Sequence, residues 1–306
     1  MKSMLAMIHR EYLEHRGAFL YAPAVIVVLF AIAIGAALGF NKVRMPFDID
    51  GASALRFFEM ALLGLGFLWL VYTMVALFFY YADAFNADRR NNAMLFWKSM
   101  PMSDFKVLMS KLLAGTTLLP ALIFCAYLVT GLVLYGLTGL AVTVLPRLAV
   151  PSIDAIVTST IELSAFAFVY LFLSLLWYAP FFAWVGALSA VVGRWSIPLA
   201  FLIPGLAVLA ENLFLRGLSD IFFNLALGLN GPRGGYLFEF LQRRATFGFS
   251  ETDFETAFAG GLPVDGWALL NRLLAVIDWT QMAGGLIVAV LLVFLASQYR
   301  RRVITA

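Results

Sequence analysis

Six apolar runs, each about twenty residues or longer, leave this chain few ways to fold. They cover Gly17–Gly39, Phe57–Ala82, Val107–Leu137, Ile161–Val192, Ile197–Leu215 and Thr280–Tyr299. A helix needs about twenty apolar residues to cross the roughly 30 Å hydrocarbon layer of a bilayer. Barrel strands are about half that length and alternate in polarity, which these runs do not. Inside lipid every backbone N–H and C=O must find a partner within the protein, and a helix supplies those partners itself. The composition agrees, at 63% hydrophobic and 13% charged residues, where a water-soluble domain is about half apolar and a quarter charged. The expected fold class is an all-α integral membrane protein with six transmembrane helices in one domain, residues 1–306. The third and fourth runs exceed the bilayer and should tilt or project. Pro23, Pro120, Pro180, Pro198 and Pro204 fall within or at the start of runs, where neighbouring helices can re-satisfy the carbonyls they free.

Orientation follows from the basic residues in short flanks. One side collects Lys2, Arg10 and Arg16, then Arg89, Arg90, Lys98, Lys106 and Lys111, then Arg194, then Arg300, Arg301 and Arg302. The other has Lys42, Arg44, Arg56 and Arg147, plus five arginines spread through the long stretch after Leu215. Long loops translocate largely regardless of charge, so those five weigh little. Both termini and residues 83–111 are expected in the cytoplasm, which an even number of crossings satisfies. The net charge of +3 accords with basic residues at membrane edges; nucleic-acid binding is not indicated.

Two stretches outside the runs have their own organisation. In residues 1–16, Met1, Leu5, Ile8 and Tyr12 recur at helical spacing and give one apolar face. That pattern predicts an amphipathic helix on the inner leaflet, before a retained first span. Residues 217–278 mix apolar clusters with the breaks Asn230-Gly231-Pro232 and Gly260-Gly261-Leu262-Pro263. Short helices in the outer leaflet, ahead of the sixth span, fit this better than a separate domain, because so few residues build little core.

Little catalytic chemistry is on offer. There is no Gly-Lys dipeptide and hence no phosphate-binding loop, no G-x-S-x-G and no H-E-x-x-H. His9 and His15 are the only histidines, and six residues apart they point to different faces of a helix, which disfavours zinc. Cys125 is the single cysteine and reads as a small buried packing residue. The expectation is a chain that is not an enzyme and binds no cofactor or metal of its own. Glu59 and Glu162 lie near span ends and read as interfacial. Glu211, followed by Asn212, sits deep in the fifth span. It either snorkels to the interface near Arg216 or faces a translocation path or a second copy of the chain. Gly35-Ala-Ala-Leu-Gly39 has the spacing of a close helix contact.

The polar interval between the second and third spans is the most distinctive stretch. Asp83 and Asp88 precede Arg89 and Arg90, and Ala93–Trp97 is helix-compatible. Met100-Pro101 breaks that run, and Ser103-Asp104 can cap the next helix. Phe96 and Trp97 are bulky anchors of the type that dominates docking sites, although an interfacial helix held by an aromatic belt would use the same residues.

The run Asp83…Asp88-Arg89-Arg90…Leu95-Phe96-Trp97-Lys98-Ser99-Met100-Pro101-Met102-Ser103-Asp104…Ser110-Lys111 resembles the cytoplasmic loop of bacterial ABC-type exporter permeases of the second superfamily. Members often read D…E-R-[KR]…L-F-W-K-S-L-P-V-S-D there. Asn91 and Asn92 stand where charges are expected, and Met100 and Met102 replace Leu and Val. The six-span plan extends the similarity over the whole chain, but only the loop is specific. The resemblance implies a permease in the bacterial inner membrane, served by a cytoplasmic ABC ATPase dimer that holds ATP and Mg. It implies a second permease copy or a related permease, and a coupling helix within residues 83–106. The coupling residues would be Asp83, Asp88, Arg89, Arg90, Phe96, Trp97, Lys98, Ser99, Pro101, Ser103 and Asp104, with Arg194 in a second, smaller contact. Two other readings stay open: a non-transporting membrane scaffold, and an ion-coupled transporter using Glu211 and Asn212. The apolar character of the spans favours amphipathic cargo over ions.

Overall fold

The computed structural model describes residues 2–39, 54–90, 103–144, 152–215, 236–245, 247 and 264–305. Helix accounts for 96% of the structure, and no strand occurs among the described residues. The helices are α1 (Lys2–Arg16), α2 (Ala22–Gly39), α3 (Ala54–Arg90), α4 (Asp104–Thr116), α5 (Leu118–Val144), α6 (Ile153–Val192), α7 (Ser196–Ala210), α8 (Tyr236–Ala245), α9 (Gly266–Val276) and α10 (Trp279–Thr305). Among the described residues, five stretches are long and apolar enough to cross a membrane: Ala6–Ala36, Phe58–Phe85, Phe105–Leu140, Ile153–Leu213 and Trp279–Arg302. Their outward faces are apolar. Val25, Val28, Leu29 and Ile32 of α2 and Ile287, Leu291 and Leu295 of α10 are exposed. Water would penalise such surfaces, and lipid tails would not.

The chain packs as two units. The first comprises Met1–Leu77, Leu113–Leu175 and Gly248–Ile277. Here α1 runs into α2 through a π-helical turn, Gly17–Tyr21, in which the Ala22 amide reaches back to the Gly17 carbonyl. Pro23 cannot donate to the Phe19 carbonyl, which accounts for the widened turn. The most deeply buried α1 side chains among the described residues are Met7 and Glu11; of the expected stripe, Ile8 and Tyr12 are half-buried, and the side chains of Met1 and Leu5 lie outside the described residues. α1 packs against the π turn and α5. Polar groups join the helices at close quarters. Trp69 Nε1 donates to Thr130 Oγ1 at 3.2 Å, and Tyr72 donates to the Ala18 carbonyl at 2.5 Å. Cys125 is exposed on α5, which corrects the expectation of a buried residue; in this apolar span its position faces outward.

The third run is broken at Thr117. Pro120 cannot bond the Thr116 carbonyl, and Thr117 Oγ1 turns back to the Leu113 carbonyl at 2.6 Å. The second unit comprises Phe78–Leu112, Leu176–Phe247 and Asp278–Ala306. Its core centres on Ala82, Val185, Leu188 and Ala200, flanked by Phe78, Phe181 and Trp184. Between α6 and α7 the chain turns at Gly193–Trp195, with Gly193 at φ 63°. Glycine alone takes that left-handed conformation at no steric cost. Trp184 Nε1 then donates to the Ala200 carbonyl at 3.3 Å. Residues eight before Val192 and eight after it therefore meet, and α6 and α7 form an antiparallel hairpin.

Candidate functional site

The polar interval emerges from helices that hold each other firmly. The second apolar run was expected to end at Ala82, but α3 continues to Arg90, so Asp83, Asp88, Arg89 and Arg90 belong to its last turns. No glycine or proline interrupts that stretch, and helical hydrogen bonding persists where hydropathy fails. α4 restarts at Asp104, with Ser103 as its cap. The Lys106 amide reaches the Ser103 carbonyl at 2.9 Å and its hydroxyl at 3.4 Å. Phe96, Trp97, Lys98, Ser99 and Pro101 lie outside the described residues.

Two successive tyrosines tie α3 to α4. Tyr80 donates to the Lys111 carbonyl at 3.1 Å and Tyr81 to the Leu112 carbonyl at 2.7 Å. The Tyr81 ring stacks on Phe182 of α6, with centroids 5.2 Å apart. One turn on, Phe85 lies against Gly186, where a Cβ would stand 3.1 Å from the ring. Lys111 is buried to 1% exposure, so its charged head is part of the packed interior and not of a solvated flank. Ser196 Oγ donates to the Ala82 carbonyl at 3.0 Å, which fastens the Gly193–Trp195 turn to the same stretch of α3. Arg194 and Trp195 on that turn are exposed. The structure thus brings together Asp83 and the Arg194 turn, two stretches 111 residues apart in sequence (194 − 83). Glu211 and Asn212 are half-buried in the π-helical continuation of α7, Glu211–Leu215. The Asn212 amide donates to the Val208 carbonyl one turn back, at 2.9 Å.

A second polar centre in this unit lies between α6, α8 and α10. The Arg244 guanidinium lies over the Trp177 ring, 4.4 Å from its centroid, and its Nη1 donates to the Gln281 carbonyl at 3.0 Å. Trp177 Nε1 returns a bond to the Arg244 carbonyl at 2.9 Å. Gly285 leaves the space that the guanidinium occupies. Burial pushes the Arg244 pKa below its ordinary value, while Tyr178 and Asp278 oppose that shift. Sequence reading missed this clamp because an arginine in a long loop gives no sign of which aromatic it covers.

Glu59 was missed for a related reason. It was expected at an interface, and the structure buries it completely. In the first unit its carboxylate accepts from Ser159 Oγ at 2.6 Å and from the Val264 amide at 3.0 Å. Glu162, half-buried, accepts from the Gly266 amide at 3.3 Å. In α1, Glu11, Glu14 and His15 bring ligand-type atoms within 4.8 Å of one another. Glu14 is bonded by Arg10 at 2.7 Å and His15 Nδ1 lies 3.1 Å from the Glu11 carbonyl, so this group is engaged within its own helix.

Compared with models of protein families, with curated proteins and with solved structures, the chain matches none.

Proposed function

We propose that the chain is the permease subunit of an ATP-driven exporter, with six crossings and both termini in the cytoplasm of a bacterium. The observation that carries this reading is the run Leu95-Phe96-Trp97-Lys98-Ser99-Met100-Pro101, flanked by helices that Tyr80 and Tyr81 lock together. A push on that interval would move residues 78–90 of α3, residues 104–112 of α4 and the Arg194 turn together, all within the second unit. A partner ATPase on this face would supply ATP hydrolysis, and its closing would act through contacts that differ between its open and closed states. Phe96 and Trp97 would be the buried anchors, with Arg89, Arg90, Asp104 and Arg194 supplying charge pairs around them. A second permease copy or a related permease would complete the path. The sixth crossing comes from counting α6 and α7 separately, since their hairpin reverses the chain inside the stretch Ile153–Leu213.

The test is reconstitution of the purified chain with the ATPase that co-purifies with it. The chain alone should hydrolyse no ATP. Replacing Phe96 and Trp97 with alanine removes anchors worth about 2 kcal/mol or more, so docking should weaken about thirtyfold. ATP-dependent efflux of an amphipathic dye from vesicles should then fall to background while the ATPase still turns over. Full coupling in that double variant would sink the assignment.

A further inference from the structure

The start of α9 is held by three carboxylates arranged along three residues. Val264 donates its amide to Glu59, in the second turn of α3, and Gly266 donates its amide to Glu162 of α6. Asp265 between them is exposed and turns the other way, accepting from the Ala268 amide at 2.9 Å to cap α9. The fit at Gly266 is close: a Cβ there would lie 2.7 Å from the Glu162 carbonyl carbon and 2.9 Å from its oxygen. Those are backbone atoms and cannot swing aside. Ser159, one turn before Glu162, donates to the remaining oxygen of Glu59. Five groups from α3, α6 and residues 264 and 266 at the start of α9 thus close on one another.

The chemistry of this closure is unusual for a permanent joint. Glu59 is fully buried, and its two donors, a hydroxyl and an amide, are both neutral. Removing a carboxylate from water is costly unless charge or several hydrogen bonds compensate. Lifting the segment returns that hydration, which offsets part of the lost contact. A purely apolar joint of the same size would recover nothing on opening. Closed and open states are therefore nearer in free energy here than elsewhere in the packed helices.

We propose that Val264–Gly266 is a releasable strap, latched by Glu59 and Glu162, that lifts as a unit and takes the start of α9 with it. Only Ile277 and Asp278 separate α9 from α10. The proposal does not depend on an ATPase partner.

Hydrogen exchange on the full chain in lipid nanodiscs tests it, read at the Val264 and Gly266 amides and at peptides of α3, α5 and α6. In the native chain the two strap amides should exchange faster than the interior amides of α6. Glu59→Ala removes the latch, and Gly266→Ala blocks closure by sterics while leaving Glu59 in place. Each should speed exchange at the strap amides about tenfold or more while the α3, α5 and α6 peptides keep their native rates. Unchanged strap amides in both variants would overturn the proposal. So would acceleration of every peptide together, which would make the segment part of one rigid core. If Glu59→Ala fails to fold, Gly266→Ala decides alone.

Discussion

Asp278 shows how one residue can serve two structures at once. Its side chain accepts from Thr280 Oγ1 at 2.6 Å and from the Gln281 amide at 2.9 Å, capping α10. The Thr280 bond, then the Gln281 amide and more weakly the Arg244 charge, hold its carboxyl below the ordinary carboxylate value. A depressed pKa in the folded chain means that the stabilisation is present above the unfolded value of about 3.9 and is lost as pH falls through the folded one. Asp278→Ala should therefore lower the apparent melting temperature at pH 7, and the gap to the parent should close as pH drops below about 3.9. A gap that persists unchanged at low pH would show that the carboxylate is not what stabilises the helix start. At this scale legibility depends on sequence distance. The Ser103 cap could be read directly, because its partner amide is three residues away. The Glu59 latch could not, because Val264 lies 205 residues on and neither neighbourhood signals the other.

Elements were legible where a single periodic force sets them. Among the described residues, the apolar runs located the long helices, since lipid leaves the backbone no other way to satisfy itself. Their ends were less legible. Hydropathy stops at Ala82, yet α3 persists to Arg90, because polar residues without glycine or proline continue a helix readily. The gap between the fourth and fifth apolar runs marked a break at residues 193–196, but the tight closure there rests on contacts distant in sequence. It depends on the left-handed backbone at Gly193, on Ser196 bonding the Ala82 carbonyl, and on Trp184 bonding the Ala200 carbonyl. A side chain at φ 63° costs about 1–3 kcal/mol. Gly193→Ala should lower the apparent melting temperature of the detergent-solubilised chain by several degrees, while Arg194→Ala, exposed on the same turn, should leave it nearly unchanged. Equal effects from both would mean that the turn's surface, and not its backbone, holds the hairpin.

For the molecule as a whole, the count of crossings decides where every candidate site lies. Ile153–Leu213 reads as a single apolar stretch of 61 residues, but α6 alone, at 40 residues, is about 60 Å long, about twice the thickness of the hydrocarbon layer. The hairpin divides the 61-residue stretch by sending α7 back alongside the end of α6. Arg194 is then the deciding residue. It is exposed, and an arginine at the bilayer centre costs about 2.5–3.5 kcal/mol on insertion scales, so the proposed six-crossing topology requires the turn at a membrane edge. If α6 and α7 are separate crossings, that edge is the one that receives the α3–α4 interval, because Ser196 is bonded to Ala82. Single cysteines in a Cys125→Ala background would measure this in sealed vesicles. Arg194→Cys and Arg301→Cys should react with a membrane-impermeant maleimide from the same side, and Gln242→Cys on α8 from the opposite side. An Arg194→Cys that reacts from neither side would place the turn within the bilayer. That result would reduce the crossings to five and put the termini on opposite faces, and it would remove Arg194 from any shared docking surface with residues 83–106.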